Sequence, residues 1–238
     1  MPVRSEAWSA NDLEVKPVTA LSMLVKKVAL GSESLLDSDS PAWGKAQAKR
    51  IRLVNTPLDR QPSEYVKVVG DSWDYGATAR LMVKSVYNGK EIFFLLEWED
   101  TTQDTGLEDS NYLDGAGLLF PLKKDAPIDT MGSKEEPVNA WYWRADKPGG
   151  RNITAQGLGS TQETDKSRAK NYILTRARWS EGRWRLVVGR ALTVDDTAVQ
   201  FEAGGSYKVG FAVWQGSNQE RAGLKSFSNS WLDLELED

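Results

Sequence analysis

Residues 79–98 read ARLMVKSVY (79–87), Asn88-Gly89, then KEIFFLLEW (90–98). Two apolar, β-branched and aromatic runs flank an Asn-Gly pair, and both of those residues tolerate positive φ. The stretch is therefore expected to be a β-hairpin with a type I′ turn. On the second strand Ile92, Phe94, Leu96 and Trp98 share one face, while Phe93 and Leu95 point to the other. A strand apolar on both faces is buried on both faces. A second hairpin fits NYILTRARW (171–179), a Ser180-Glu181-Gly182 turn and RWRLVVGRA (183–191). Further strands are expected within Val15–Leu30 and over Lys49–Val54, Val138–Arg144, Ser206–Trp214 and Trp231–Glu237. Outside a weak helical pattern near Thr19–Leu30, no 3.6-residue period persists. Short strands, hairpin turns and ten Trp predict an all-β, antiparallel β-sandwich with long loops. We read it as a single domain over residues 1–238, with 1–34 as an N-terminal extension.

Composition narrows the chemistry. The 238 residues carry 30 Lys+Arg and 34 Asp+Glu, a net charge of −4, and contain neither Cys nor His. That removes disulfides, thiolate nucleophiles, Cys-ligated zinc or iron–sulfur clusters and thioether-attached haem. It also removes the Ser-His-Asp triad and His-ligated metals. A weakly acidic chain lacks the basic face that nucleic-acid binding draws on. No apolar run approaches the roughly 20 residues of a membrane span. The first residues, MPVRSEAWSANDLEV, lack the basic-then-apolar layout of a secretory signal.

Four local constellations could carry function. Asp100, Asp104, Glu108, Asp109 and Asp114 follow the first hairpin and offer oxygen ligands for calcium, although their spacing matches no EF-hand; a solvated acidic loop explains them more simply. Trp141 and Trp143 share one strand face, either as core or as a platform for sugar rings. Met131 sits in the polar loop APIDTMGSKEEPV, an unusual place for a side chain that normally fills cores. Lys208 shares a strand face with Gly210 and Ala212, whose small side chains leave a trough that a flat ligand could fill. A solvent-facing lysine on a strand accounts for the same pattern.

SPAWGKA (40–46), FFLLEWEDTTQD (93–104), YLDGAGLLFP (112–121), TMGSKEEPVNAWYWRAD (130–146) and GGSYKVGFAVWQGSNQERAGLKSFSNSW (204–231) occur in this order. Together they resemble the haem b (gamma) subunits of ethylbenzene dehydrogenase and of the related chlorate, selenate and dimethyl sulfide enzymes, type II members of the DMSO reductase family. The resemblance covers roughly residues 35–238. It implies a sandwich similar to a carbohydrate-binding module, holding one non-covalent haem b with Met and Lys as axial ligands. By motif the Met is Met131. The Lys is expected at Lys208, with Lys225 of RAGLKS as the alternative. The resemblance further implies a periplasmic electron-transfer subunit rather than an enzyme, with any export signal removed or supplied by a partner. Its partners would be an iron–sulfur (beta) subunit, a molybdopterin catalytic (alpha) subunit, and a soluble cytochrome or quinol-linked carrier. The runner-up is a non-catalytic carbohydrate-binding sandwich that uses Trp141 and Trp143.

Overall fold

A computed structural model describes residues 22–106, 112–163, 172–194 and 196–238. In chain order the strands begin with β1 (Ser22–Lys27), β2 (Ala48–Arg52), β3 (Val54–Asn55), β4 (Arg80–Tyr87) and β5 (Glu91–Glu99). Then come β6 (Gly115–Pro121), β7 (Val138–Arg144), β8 (Arg151–Ala155) and β9 (Thr161–Glu163). The rest are β10 (Leu174–Ser180), β11 (Arg183–Ala191), β12 (Ser206–Trp214), β13 (Ser226–Phe227) and β14 (Leu232–Leu236). Three short helices, α1 (Ser32–Leu36), α2 (Ala42–Lys45) and α3 (Glu64–Gly70), lie in the connections. None is long enough to leave a helical period in the sequence.

Hydrogen bonding runs unbroken along β10-β11-β5-β4-β1-β14-β12-β6-β7-β8-β9. The two halves of this path face each other across an aromatic core, which makes the sandwich. Phe94 of β5 meets Phe120 of β6 and Trp141 of β7, each at 5.9 Å between ring centroids, and Trp143 of β7 meets Trp184 of β11 at 5.2 Å. Full burial of each such side chain is worth about 1.5–3 kcal/mol. Pairing is antiparallel except at β1, which runs parallel to both β4 and β14 and joins the halves. Ser22–Lys27, within the stretch read as an N-terminal extension, is therefore a central seam of the sheet. Met23 and Val25 are fully buried there.

The double-sided burial of β5 is as its sequence predicts. Phe94, Leu96 and Trp98 enter the main core. Phe93 and Leu95 pack outward under α1 and α2, against Leu35, Leu36 and Trp43. The turns exchange roles. At the first hairpin Asn88 N–H donates to the Glu91 carbonyl, so Gly89 and Lys90 are the central pair, and of Asn88 and Gly89 only Gly89 has positive φ (+85°). The Asn88 side-chain oxygen instead accepts N–H bonds from Lys90 (3.0 Å) and Glu91 (2.8 Å). The doubly left-handed turn lies in the second hairpin, where Ser180 pairs with Arg183 and both Glu181 (φ 53°) and Gly182 (φ 71°) are positive. Between β7 and β10 the chain forms β8 and β9 rather than one long loop; residues 164–171 lie outside the described ones.

Candidate functional site

Alternation on β6, β7 and β12 separates two environments. Leu118, Trp141, Phe211 and their inward neighbours fill the core. The outward residues Gly117, Leu119, Ala140, Tyr142, Ala212 and Trp214 form the floor of a cavity of about 310 Å³, within the usual range of small-molecule sites. Gly117, Ala140 and Ala212 keep that floor flat, and Tyr142 stands edge-on to Trp214 at 5.3 Å. Trp141 and Trp143, 0% and 4% exposed, are core; neither can serve as a sugar platform.

Met131 enters the cavity from the loop between β6 and β7. Its own backbone is left-handed (φ 57°), as is that of Gly132 (φ 80°), where a Cβ would lie 2.7 Å from the Glu136 carbonyl oxygen. The loop is tied by Gly132 N–H to the Pro127 carbonyl (2.8 Å), and Gly157 N–H donates to the Met131 carbonyl (3.2 Å). A non-glycine residue in this region is strained and is held there by its surroundings.

Lys225 enters the same cavity from the loop between β12 and β13. Buried Glu220 organises that loop, accepting N–H bonds from Gly76 (2.7 Å), Ala77 (2.8 Å) and Gln215 (3.1 Å). Gln219 and Ala222 in it are left-handed too. Of the four non-glycine residues with positive φ among those described, three thus lie in the two loops bordering the cavity. Lys225 is 6% exposed. Its Nζ makes one long hydrogen bond, to the Ala222 carbonyl at 3.5 Å, and lies 5.1 Å from the centre of the Trp214 ring. Burial alone lowers the Lys225 pKa to about 8. A neutral amine is then accessible near physiological pH. At pH 7 its formation costs about 1.4 kcal/mol, against roughly 4–5 kcal/mol for an exposed lysine.

Lys208 lies elsewhere. It does occupy the outward face of β12, as alternation predicts. The trough ends at Gly210, however, where a Cβ would lie 2.7 Å from Ile128 Cδ1 and 3.3 Å from the Trp231 ring. Beyond that plug, Lys208 sits in a separate depression beside Lys123 and Lys124, with Nζ 3.7 Å from Asp233. The structure therefore brings Met131 together with Lys225, the alternative, and not with Lys208, the lysine preferred from sequence.

The acidic segment is a structural latch. Asp114 accepts N–H bonds from Asp104 (2.8 Å), Gly216 (2.8 Å) and the Trp184 indole (3.0 Å). Asp104 accepts the Ser217 N–H (3.0 Å) and lies 2.8 Å from the Thr102 hydroxyl. Asp100 accepts the Thr102 N–H (3.1 Å) on Oδ1, while Oδ2 is buried without a partner. Burial first, and then the neighbouring Asp114 charge, raise the Asp100 pKa to about 7. Among the described residues no group of three acidic side chains is arranged to hold a metal ion; Glu108 and Asp109 lie outside them.

The sequence profile of the family described as ethylbenzene dehydrogenase matches residues 40–173 and 162–226. The chain belongs to that family. It is 29% identical to the gamma subunit of chlorate reductase from Ideonella dechloratans, over 89% of this chain and 84% of that one. It is also 29% identical to the gamma subunit of dimethylsulfide dehydrogenase from Rhodovulum sulfidophilum, over 98% and 87%. Identity is 32% to a Haloferax mediterranei protein provisionally named a respiratory nitrate reductase heme subunit, over 82% and 69%. The fold is that of a family 9 carbohydrate-binding module from Caldicellulosiruptor kristjanssonii, solved with glucose. The TM-score is 0.50 at 11% identity, covering 91% of this chain and 95% of that one.

Proposed function

We propose that this chain is the electron-transfer subunit of a molybdenum oxidoreductase and holds one non-covalent haem b in the cavity, with Met131 and Lys225 as axial ligands. Its redox partners are an iron–sulfur subunit on one side and an external cytochrome or quinol-linked carrier on the other; the substrate is handled by a separate catalytic subunit, in the periplasm. The observation that carries this reading is the donor set. A chain without His or Cys presents a thioether and a buried amine, with no carboxylate beside that amine among the described residues, to one apolar cavity. Met131 would bind through sulfur, a soft ligand that favours ferrous iron. Lys225 would bind as the neutral amine, which its burial favours. Gln61 Oε1, on the same cavity wall, is buried with no donor, as expected of a wall completed by something further. Haem supplies reversible one-electron chemistry. With both axial positions taken by protein, substrate has no route to the iron.

The test is the visible spectrum of the purified chain with haem, together with a pyridine haemochrome assay. We expect a low-spin haem b that Lys225→Ala abolishes and Lys208→Ala leaves intact. A wild-type protein that takes up no haem, or a low-spin spectrum that survives Lys225→Ala, overturns the proposal.

A further inference from the structure

Gln61 follows a short 3-10 turn (Leu58–Arg60) and is 4% exposed. Its Nε2 donates to two carbonyls, those of Pro57 and Gly223, each at 3.3 Å. Both amide hydrogens are thereby assigned, and a flipped amide would set oxygen against two carbonyl oxygens. The orientation of Oε1 is therefore determined, yet it has no hydrogen-bond partner. A buried acceptor left unpaired is destabilising, so a donor is expected to reach it. Oε1 is close against the turn that carries Lys225: a Cβ on Gly223 would lie 1.7 Å from it. Thr56, beside Gln61 on the cavity wall, ties the same turn through its N–H to the Lys225 carbonyl (3.1 Å).

Lys225 presents the complementary deficit. A neutral amine that gives its lone pair to a metal keeps two N–H groups, and each needs an acceptor. The Ala222 carbonyl, at 3.5 Å from Nζ, is one. We propose that Gln61 Oε1 is the other, making Gln61 the positioning residue that orients the Lys225 amine. This rests on the haem reading above and deepens it. Two hydrogens and two acceptors, with no carboxylate beside the amine among the described residues, suit the neutral ligand. An acceptor behind a ligand N–H also strengthens the ligand as a donor, as metal-bound side chains show generally.

The experiment uses the full chain loaded with haem, as wild type, Gln61→Leu and Gln61→Glu, read by the electron paramagnetic resonance g-values of the ferric state and by the midpoint potential. Gln61→Leu removes the acceptor. It should shift the g-values and raise the potential while haem stays bound. Gln61→Glu keeps an acceptor and adds negative charge that favours the ammonium form, so it should lower the potential and move the loss of the low-spin signal to higher pH. Shifts of opposite sign are not expected from a residue that only packs, which would change melting temperature alone. If a wild-type low-spin haem is accompanied by unchanged g-values and potential in both variants, the Gln61 assignment falls and the haem reading stands. Should Gln61→Leu fail to fold, a Gln61→Glu potential at or above the wild-type value overturns it. A wild-type chain that binds no haem overturns both.

Discussion

The cavity around Lys225 and the acid cluster around Asp100 each bury a titratable group and push it toward its neutral form, and they do so in opposite surroundings. Asp100, Asp104 and Asp114 are enclosed by donors from both connecting loops, and the cluster's single unpartnered buried oxygen is Asp100 Oδ2. Lys225 has one long hydrogen bond, an aromatic face and a cavity in front of it. Both shifts arise first from loss of water. What separates the two regions is the unfilled side. A network that closes on its own side chains holds loops together, whereas a buried donor that faces open space is set up to bind.

The comparison breaks most easily at Asp100. A carboxyl raised from 3.8 to about 7 on folding keeps its proton in the native state after the unfolded chain has lost it. Stability is then highest at low pH and falls as pH rises through the interval from about 4 to 7. Asp100→Asn should remove the part of that dependence carried by Asp100, leaving the smaller part from Asp114, whose pKa burial also raises. We expect the variant to match wild type near pH 4 and to exceed it by up to about 4 kcal/mol at pH 8. Denaturant melts across that range provide the check. A variant less stable than wild type at pH 8 would show that the ionised carboxylate is needed, and the latch would then have to be read as an ion site.

Lys225 carries the opposite sign. Its folded pKa lies below the unfolded value, so native protein gives up its proton first and stability rises with pH between about 8 and 10.5. Lys225→Met in haem-free protein should therefore gain up to about 3 kcal/mol at pH 7, with the gain vanishing by about pH 10.5. Lys208→Ala, which removes only an exposed 3.7 Å ion pair, should change stability by less than about 1 kcal/mol. A residue that destabilises the empty protein and is required by the loaded one is retained for binding, so the melt and the spectrum should move in opposite directions for Lys225 alone.

These two lysines also show what the sequence could convey. Alternation correctly places Lys208 on the outward face of β12 with Gly210 and Ala212. It does not report that Ile128 and Trp231, from 80 residues upstream and 20 downstream of Gly210 or thereabouts, close over Gly210 and end the trough. Lys225 lies in a polar-looking turn, and its burial comes from Trp214 and from the chain near Thr56. The hairpins and the double-sided burial of β5 were legible because each depends on near neighbours in sequence, whereas the choice between core and platform for Trp141 and Trp143 needed the facing sheet. The parallel seam at β1 was not legible, since its partners are β4 and β14. Gln61 had no local signature at all; its significance is an oxygen without a partner, visible only once the fold brings Gly223 beside it.

Met131 and Glu181 offer the finest version of the same contrast, because both are non-glycine residues with nearly the same positive φ, 57° and 53°. At Glu181 the conformation answers to the tight turn between β10 and β11, and the side chain is exposed. Glycine meets the backbone requirement there without a Cβ clash. Glu181→Gly should raise stability by about 0.5–1 kcal/mol with haem binding unchanged. Met131→Gly relieves the same backbone strain but removes the sulfur from the cavity. Its melting temperature should fall only by the packing of Met131 against the Ala126, Val138 and Ala155 cluster, less the strain relieved, while the low-spin spectrum is lost. If Met131→Gly instead keeps that spectrum, the left-handed backbone at 131 serves the loop rather than a ligand, and among the described residues the sulfur has to be sought at Met23 or Met82. Neither lines the cavity; they lie on β1 and β4, so retention of the spectrum would move the binding site itself.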